Sequence, residues 1–316
     1  MIPYILLVVS FVLLAKGADL FIEGASNIAQ YLKVSPLFVG LTIAAIGTSA
    51  PEAAVSIKAS LVGVNGIAFG NVVGSNIANI CLAIGIAALI KPLYFESSTI
   101  RKENPFMIFI TVLMLLFVVN FSSHKTGFVT VSRLEGIIFL LLFIGFLYYL
   151  YRMAKIDRKE KKYEDSGKRT SLSKDIAITI FGGAAIAFGG HLAVENATRI
   201  SAMWGVTDKV IGMSLVALGT SIPEIVTSIV AVMKGKVSIA IGNIVGSNIF
   251  NILFVLGIAS AIKPIVIQSD VIIDVAVCLF VSLLFFASSR LFKSVKRIQG
   301  LIFIAIYGIY MFFLFK

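Results

Sequence analysis

Apolar residues in this chain run in long blocks separated by short polar connections, and show neither the alternation of a strand nor the narrow stripe of a surface helix. A helix needs about 20 mostly apolar residues to cross a bilayer. The chain offers ten such blocks, at 2–26, 37–62, 67–90, 104–121, 133–152, 174–201, 209–233, 238–262, 271–289 and 297–315. The pattern predicts an all-α membrane protein of ten transmembrane helices. One long polar stretch, 153–173, reads as a charged linker dividing a first five-helix unit (1–152) from a second (174–316). The first block has no basic residues ahead of it, so it is expected to be a helix and not a cleaved leader.

Composition agrees: 59% of residues are apolar and 14% charged, against about 45–50% and about 25% in soluble domains. Too little polar surface is left to cover the chain in water, which excludes soluble enzymes, disordered tails and secreted disulfide scaffolds. The net charge of +11 would suggest nucleic acid in a soluble protein. Here it follows from the concentration of Lys and Arg in cytoplasmic loops. With the linker inside and the spans alternating, 19 of the 27 basic residues fall on the cytoplasmic side. Both termini are then expected outside the plasma membrane. Cys81 and Cys278 sit in apolar stretches, and with two histidines and no CxxC a zinc or redox centre has no support.

The two halves repeat. Residues 40–52, GLTIAAIGTSAPE, match 212–224, GMSLVALGTSIPE, at seven of thirteen positions, and 71–80, NVVGSNIANI, match 243–252, NIVGSNIFNI, at eight of ten. The offset is 172 in both blocks, and it also relates Ile90-Lys91-Pro92 to Ile262-Lys263-Pro264 and Glu23 to Glu195. Five spans per unit is an odd number, so the second unit enters the membrane from the opposite side. The expected fold is ten helices in two inverted five-helix repeats, a plan that secondary transporters share, with a site at mid-membrane where the repeats meet.

The repeated blocks carry polar residues that a bilayer disfavours. Glu52 and Glu224 lie inside the second and seventh spans, and a carboxylate at the bilayer centre costs at least about 2.5–3.5 kcal/mol. Pro51 and Pro223 lack an N–H and crowd the carbonyls of Gly47 and Gly219. Both helices are therefore expected to break, turning carbonyls near Ala45–Thr48 and Ala217–Thr220 inward beside the hydroxyls of Thr48, Ser49, Thr220 and Ser221. In the second block Ser75 and Asn79, like Ser247 and Asn251, are four apart on one helical face. Gly70 with Gly74 and Gly242 with Gly246 precede them at GxxxG spacing, so close helix packing glued by amides is a parallel reading.

The inventory is all oxygen: two carboxylates, amides, hydroxyls and carbonyls. Softness rules favour hard cations over copper and zinc. Calcium takes six to eight oxygens in a flexible shell, two carboxylates neutralise one divalent ion, and sodium accepts the same ligands.

On GTSAPE with GSNIAN and GTSIPE with GSNIFN the chain resembles the sodium/calcium exchanger group of the cation/calcium exchanger superfamily, compact prokaryotic type, and the ten-span plan extends the resemblance across the whole chain. The resemblance implies that Glu52 and Glu224 are the central calcium ligands, with backbone carbonyls of Thr48 and Thr220 and with Ser49 and Ser221 beside them. It implies sodium coordination by Ser75, Ser247 and the carbonyls of Ala45 and Ala217, with Asn79 and Asn251 completing the middle. Potassium-dependent relatives carry aspartate where this chain has Asn251, which argues against potassium co-transport. In relatives the first and sixth helices slide, so Lys16, Asp19, Glu23, His191, Glu195 and Arg199 either line an ion approach or meet water near helix ends.

The expected function is a sodium/calcium antiporter without enzymatic chemistry or a cofactor, its partners being the two ions and the lipid bilayer. The rivals are a proton/calcium antiporter using the same cage, a calcium-permeable channel, and a calcium sensor, for which the short loops offer no effector surface.

Overall fold

The computed structural model describes residues 2–119, 127–160, 171–203 and 217–314. Helices lie within the described part of each predicted block. They are α1 (Ile2–Leu32), the pair α2 (Pro36–Thr48) and α3 (Ala50–Val62), α4 (Asn65–Ile90), α5 (Asn104–Val118) and α6 (Arg133–Glu160). The second half supplies α7 (Leu172–Met203), α8 (Ala217–Met233), α9 (Val237–Ile262), α10 (Val271–Phe292) and α11 (Arg297–Leu314). Seven of these helices are long and apolar enough to cross a membrane, eight if α2 and α3 form one bent span. α5 and α8 are shorter, and their predicted spans continue into 120–121 and 209–216, outside the described residues.

Local signals explain the boundaries. Ser35 caps α2, its Oγ accepting from the Phe38 N–H at 3.2 Å, with Pro36 preset at the first helical position. α3 ends on Gly63 at φ +83°, a left-handed stop. α4 and α9 end alike: Lys91 and Lys263 turn extended before Pro92 and Pro264, as a residue preceding proline prefers. Each of these two helices also carries one π-helical stretch at the same repeat position, Asn79–Ile84 and Asn251–Leu256.

α9 is the axis of the bundle, with 94% of its most apolar window buried, and α4 follows at 72%, whereas α11 buries 17% and faces outward. α1 and α7 lie antiparallel against one another. A Cβ at Gly17 would meet Ala185, one at Gly24 would meet Thr179 and the Asp175 carbonyl, and one at Gly189 would meet Leu14. α2 and α9 approach equally closely, Gly40 lying against Gly242 and Gly246 against Leu41 and Ala45. The GxxxG spacing thus serves packing in the second half. In the first half, no atom of the described residues lies within 4 Å of where a Gly70 Cβ would stand.

Four short strands cross-link the halves. β1 (Leu93–Tyr94) pairs antiparallel with β4 (Ser294–Val295), and β2 (Phe128–Val131) with β3 (Ile265–Gln268). Each ladder takes one strand from each half.

The predicted linker begins as helix. Residues 153–160 extend α6, and Asp157 Oδ2 accepts from the Ser35 N–H at 2.8 Å while Arg158 Nε donates to the Leu32 carbonyl at 3.0 Å. This extension is held because it caps both ends of the α1–α2 turn. Residues 161–170 lie outside the described residues.

Candidate ion site

The α2–α3 pair bends by 48° at Ser49, whose φ −85° and ψ 5° leave the helical region. The cause is Pro51: lacking an N–H, it leaves the Gly47 carbonyl without its helical donor. Absence of a side chain at Gly47 matters as well, because the Phe21 ring of α1 would lie 3.2 Å from a Cβ there. At the equivalent Gly219 the space is taken by Val194 of α7. The expected break in the second half is not seen: α8 runs through Pro223 as one helix over Ala217–Met233. Residues 212–216 of that motif lie outside the description, and of Ala217 the backbone alone is described.

The bend and the packing of α4 and α9 gather the predicted polar residues. Glu52, Glu224, Ser49, Ser221, Ser75, Ser247, Asn79 and Asn251 are all fully buried, and Thr48 is 2% exposed. Thr220 is half-buried. The two carboxyl groups lie within electrostatic reach of one another, and Ser49, one turn before Glu52, donates its hydroxyl to Glu224 Oε1 at 2.7 Å. The Ala45 carbonyl is not freed. It accepts the Ser49 N–H at 3.0 Å and lies 3.5 Å from Ser247 Oγ. Ser75 Oγ sits 3.4 Å from Thr220 Oγ1.

Sequence reasoning passed over Asn71, Asn76, Asn243 and Asn248, which join Asn79 and Asn251 in holding this arrangement. Asn79 Nδ2 donates to Asn248 Oδ1 at 3.0 Å and Asn251 Nδ2 to Asn76 Oδ1 at 3.1 Å. Asn76 and Asn248 each donate to the other's backbone carbonyl at 3.3 Å. Every bond in this cross has a counterpart 172 residues on. The same holds further out. Asn71 Nδ2 donates to Ser56 Oγ at 2.9 Å and Asn243 Nδ2 to Ser228 Oγ at 3.1 Å, while Thr220 Oγ1 donates to Asn71 Oδ1 and Thr48 Oγ1 to Asn243 Oδ1. The available signal was the repetition of Asn71 and Asn76 at the same offset.

These bonds engage each amide nitrogen and leave oxygens over. Among the described residues, Glu52 Oε1 and Oε2, Glu224 Oε2, Asn79 Oδ1, Asn251 Oδ1 and Ser221 Oγ are buried without a hydrogen-bond partner. Buried polar atoms are nearly always paired, and an uncompensated buried carboxylate costs several kcal/mol in order of magnitude. These six oxygens, three of them from the two carboxyl groups, are the kind of donor that hard cations prefer. No sulfur or imidazole is among them.

Fold and site therefore define a helical membrane protein with a buried oxygen cage at the meeting of two repeated halves. The family model described as "Sodium/calcium exchanger protein" matches residues 2–152 and 174–316, and the chain belongs to that family. It is 36% identical to the putative antiporter CaxA of Alkalimonas amylolytica, over 100% of this chain and 99% of that one. It is 33% identical to the sodium/calcium exchanger MaX1 of Methanosarcina acetivorans, over 99% of each. Among solved structures, the sodium-calcium exchanger NCX_Mj soaked with Na+ and Sr2+ superposes with a TM-score of 0.84 at 29% identity, covering 97% of this chain and 96% of that one.

Proposed function

We propose that the chain is a secondary active antiporter that exchanges sodium for calcium by alternating access at this cage. The observation that carries the reading is the set of buried, unpartnered oxygens on Glu52, Glu224, Asn79, Asn251 and Ser221. Calcium takes six to eight oxygens at about 2.3–2.6 Å, and two carboxylates cancel its charge, so the loaded centre carries no net charge across the membrane. Sodium ions compete for the same oxygens. Ser75, Ser247 and the backbone of Ala217 then serve the flanking sodium positions, with Thr48, Thr220 and Ser49 completing the shell.

The family membership and the match to a sodium-calcium exchanger structure support this cargo. Full burial of both glutamates supports a carrier over a channel, since an open pore would wet them. The doubled contacts at an offset of 172 support ten spans in two inverted units, 1–152 and 174–316, joined through 153–173, with both termini outside the plasma membrane. Flanking oxygens beyond the two carboxylates favour sodium over protons, because proton coupling needs no second set of ligands.

Radioactive calcium uptake into sodium-loaded proteoliposomes diluted into choline medium tests the reading. Uptake is expected with an outward sodium gradient and not with equal sodium on both sides. Uptake driven by a pH gradient alone would make the coupling ion the proton. Uptake indifferent to both gradients would leave the channel.

A further inference from the structure

A cavity lies away from the cage, between α5 and α6 at the bundle end that carries Arg101, Lys102 and Arg152. Its volume is about 350 Å³, and it is lined by Lys102, Glu103, Phe106, Leu142, Gly145, Phe146 and Tyr149. The lining is graded along the helices. Lys102, Glu103 and Tyr149 stand at the interfacial end, while Phe106, Phe146, Gly145 and Leu142 lie successively deeper. Phe106 and Phe146 stack with centroids 5.5 Å apart and planes 8° from parallel, forming one wall. Nothing lies within 4 Å of where a Gly145 Cβ would stand, so that side is open.

The polar end is incompletely satisfied. Glu103 is 1% exposed, and its Oε1 accepts from the Tyr149 hydroxyl. Its Oε2 is buried with no partner among the described residues. Lys102, exposed, holds its ammonium 5.8 Å above the Tyr149 ring. A cation and an unpartnered carboxyl oxygen at one end and an apolar slot beneath call for an occupant whose hydrocarbon tail ends in a head group carrying both an anionic group and an N–H donor.

We propose that this cavity binds a membrane phospholipid of the phosphatidylethanolamine type, its phosphate on Lys102, its ammonium donating to Glu103 Oε2 and an acyl chain lying between Phe106, Phe146 and Leu142. The inference rests on the membrane character of the chain and not on its transported ions. Phosphatidylcholine shares the phosphate, the tail and the positive charge but has no N–H, so it cannot satisfy Glu103. Phosphatidylglycerol offers hydroxyl donors but adds a net negative charge beside a buried carboxyl group.

Native mass spectrometry of the full-length protein in detergent, titrated with each of the three lipids, tests this. Phosphatidylethanolamine is expected to bind about tenfold more tightly than phosphatidylcholine, the difference made by one hydrogen bond to a charged group. Glu103→Gln should abolish that preference, Lys102→Ala should weaken both lipids alike, and Gly145→Phe should fill the slot and remove binding of both. Thermal melts in the same detergent check folding, and Lys102→Ala, at an exposed position, supplies a readout independent of core packing. Equal affinity of the wild-type protein for phosphatidylethanolamine and phosphatidylcholine, a preference for phosphatidylglycerol, or undiminished binding in folded Gly145→Phe would each overturn the proposal.

Discussion

The two repeated blocks are nearly the same in sequence and differ in how they hold their glutamates. Ser49 of the first half donates to Glu224 of the second at 2.7 Å. Among the described residues the equivalent Ser221 Oγ has no partner, and Glu52 receives no serine hydroxyl. The helix bearing Ser49 is bent by 48°, whereas α8 passes through Pro223 unbroken over its described length. Around this lopsided centre the asparagine scaffold is two-fold: 76 with 248, 79 with 251, 71 with 243. Under the proposed alternating access, a second arrangement would exchange these roles between the two blocks.

The comparison can be broken most severely at the carboxylates. Glu52→Gln and Glu224→Gln should each lower sodium-driven calcium uptake about 100-fold, the loss expected for a buried charged ligand. A large loss in one and not the other would mean that the cage is built on a single carboxylate. Next come the scaffold amides. Asn76→Ala and Asn248→Ala each strand the same kinds of partner, so each should cost about 1–3 kcal/mol of stability, and their thermal melts in detergent should shift by similar amounts. Unequal shifts would place the asymmetry in the frame as well as the centre. The smallest effect separates the two serines. In chelator-treated, sodium-free buffer Ser49→Ala should lose about 1 kcal/mol, and Ser221→Ala should lose nothing measurable. Equal losses would show that both arrangements are populated at rest.

Much of this was legible beforehand, for identifiable reasons. Long apolar blocks announce helices at any distance from their partners, and Glu52 and Glu224 stood out because a carboxylate in a bilayer needs an explanation. The offset of 172 gave the doubling that recurs in nearly every site contact. What stayed hidden depends on partners remote in sequence. Nothing near Asn79 says that its amide nitrogen donates to Asn248 while its oxygen is left over, so asparagines with a spare oxygen and those without one read alike. Strands of two to four residues have no period to detect, and the helical extension of α6 over 153–160 is stabilised by Leu32 and Ser35 on the far side of the first unit. The unequal hold on the two glutamates could not be read from equal sequences.

The strand ladders bear on how the protein is made. Strand β2, Phe128–Val131, has its partner in Ile265–Gln268, so its edge stays unpaired while the ribosome works through the intervening helices, roughly 10–30 s at ordinary synthesis rates. Leu93–Tyr94 waits longer still, for Ser294–Val295. An unpaired edge is a template for the wrong strand. The first half therefore emerges as an unfinished body, and its completion is timed by the arrival of the second.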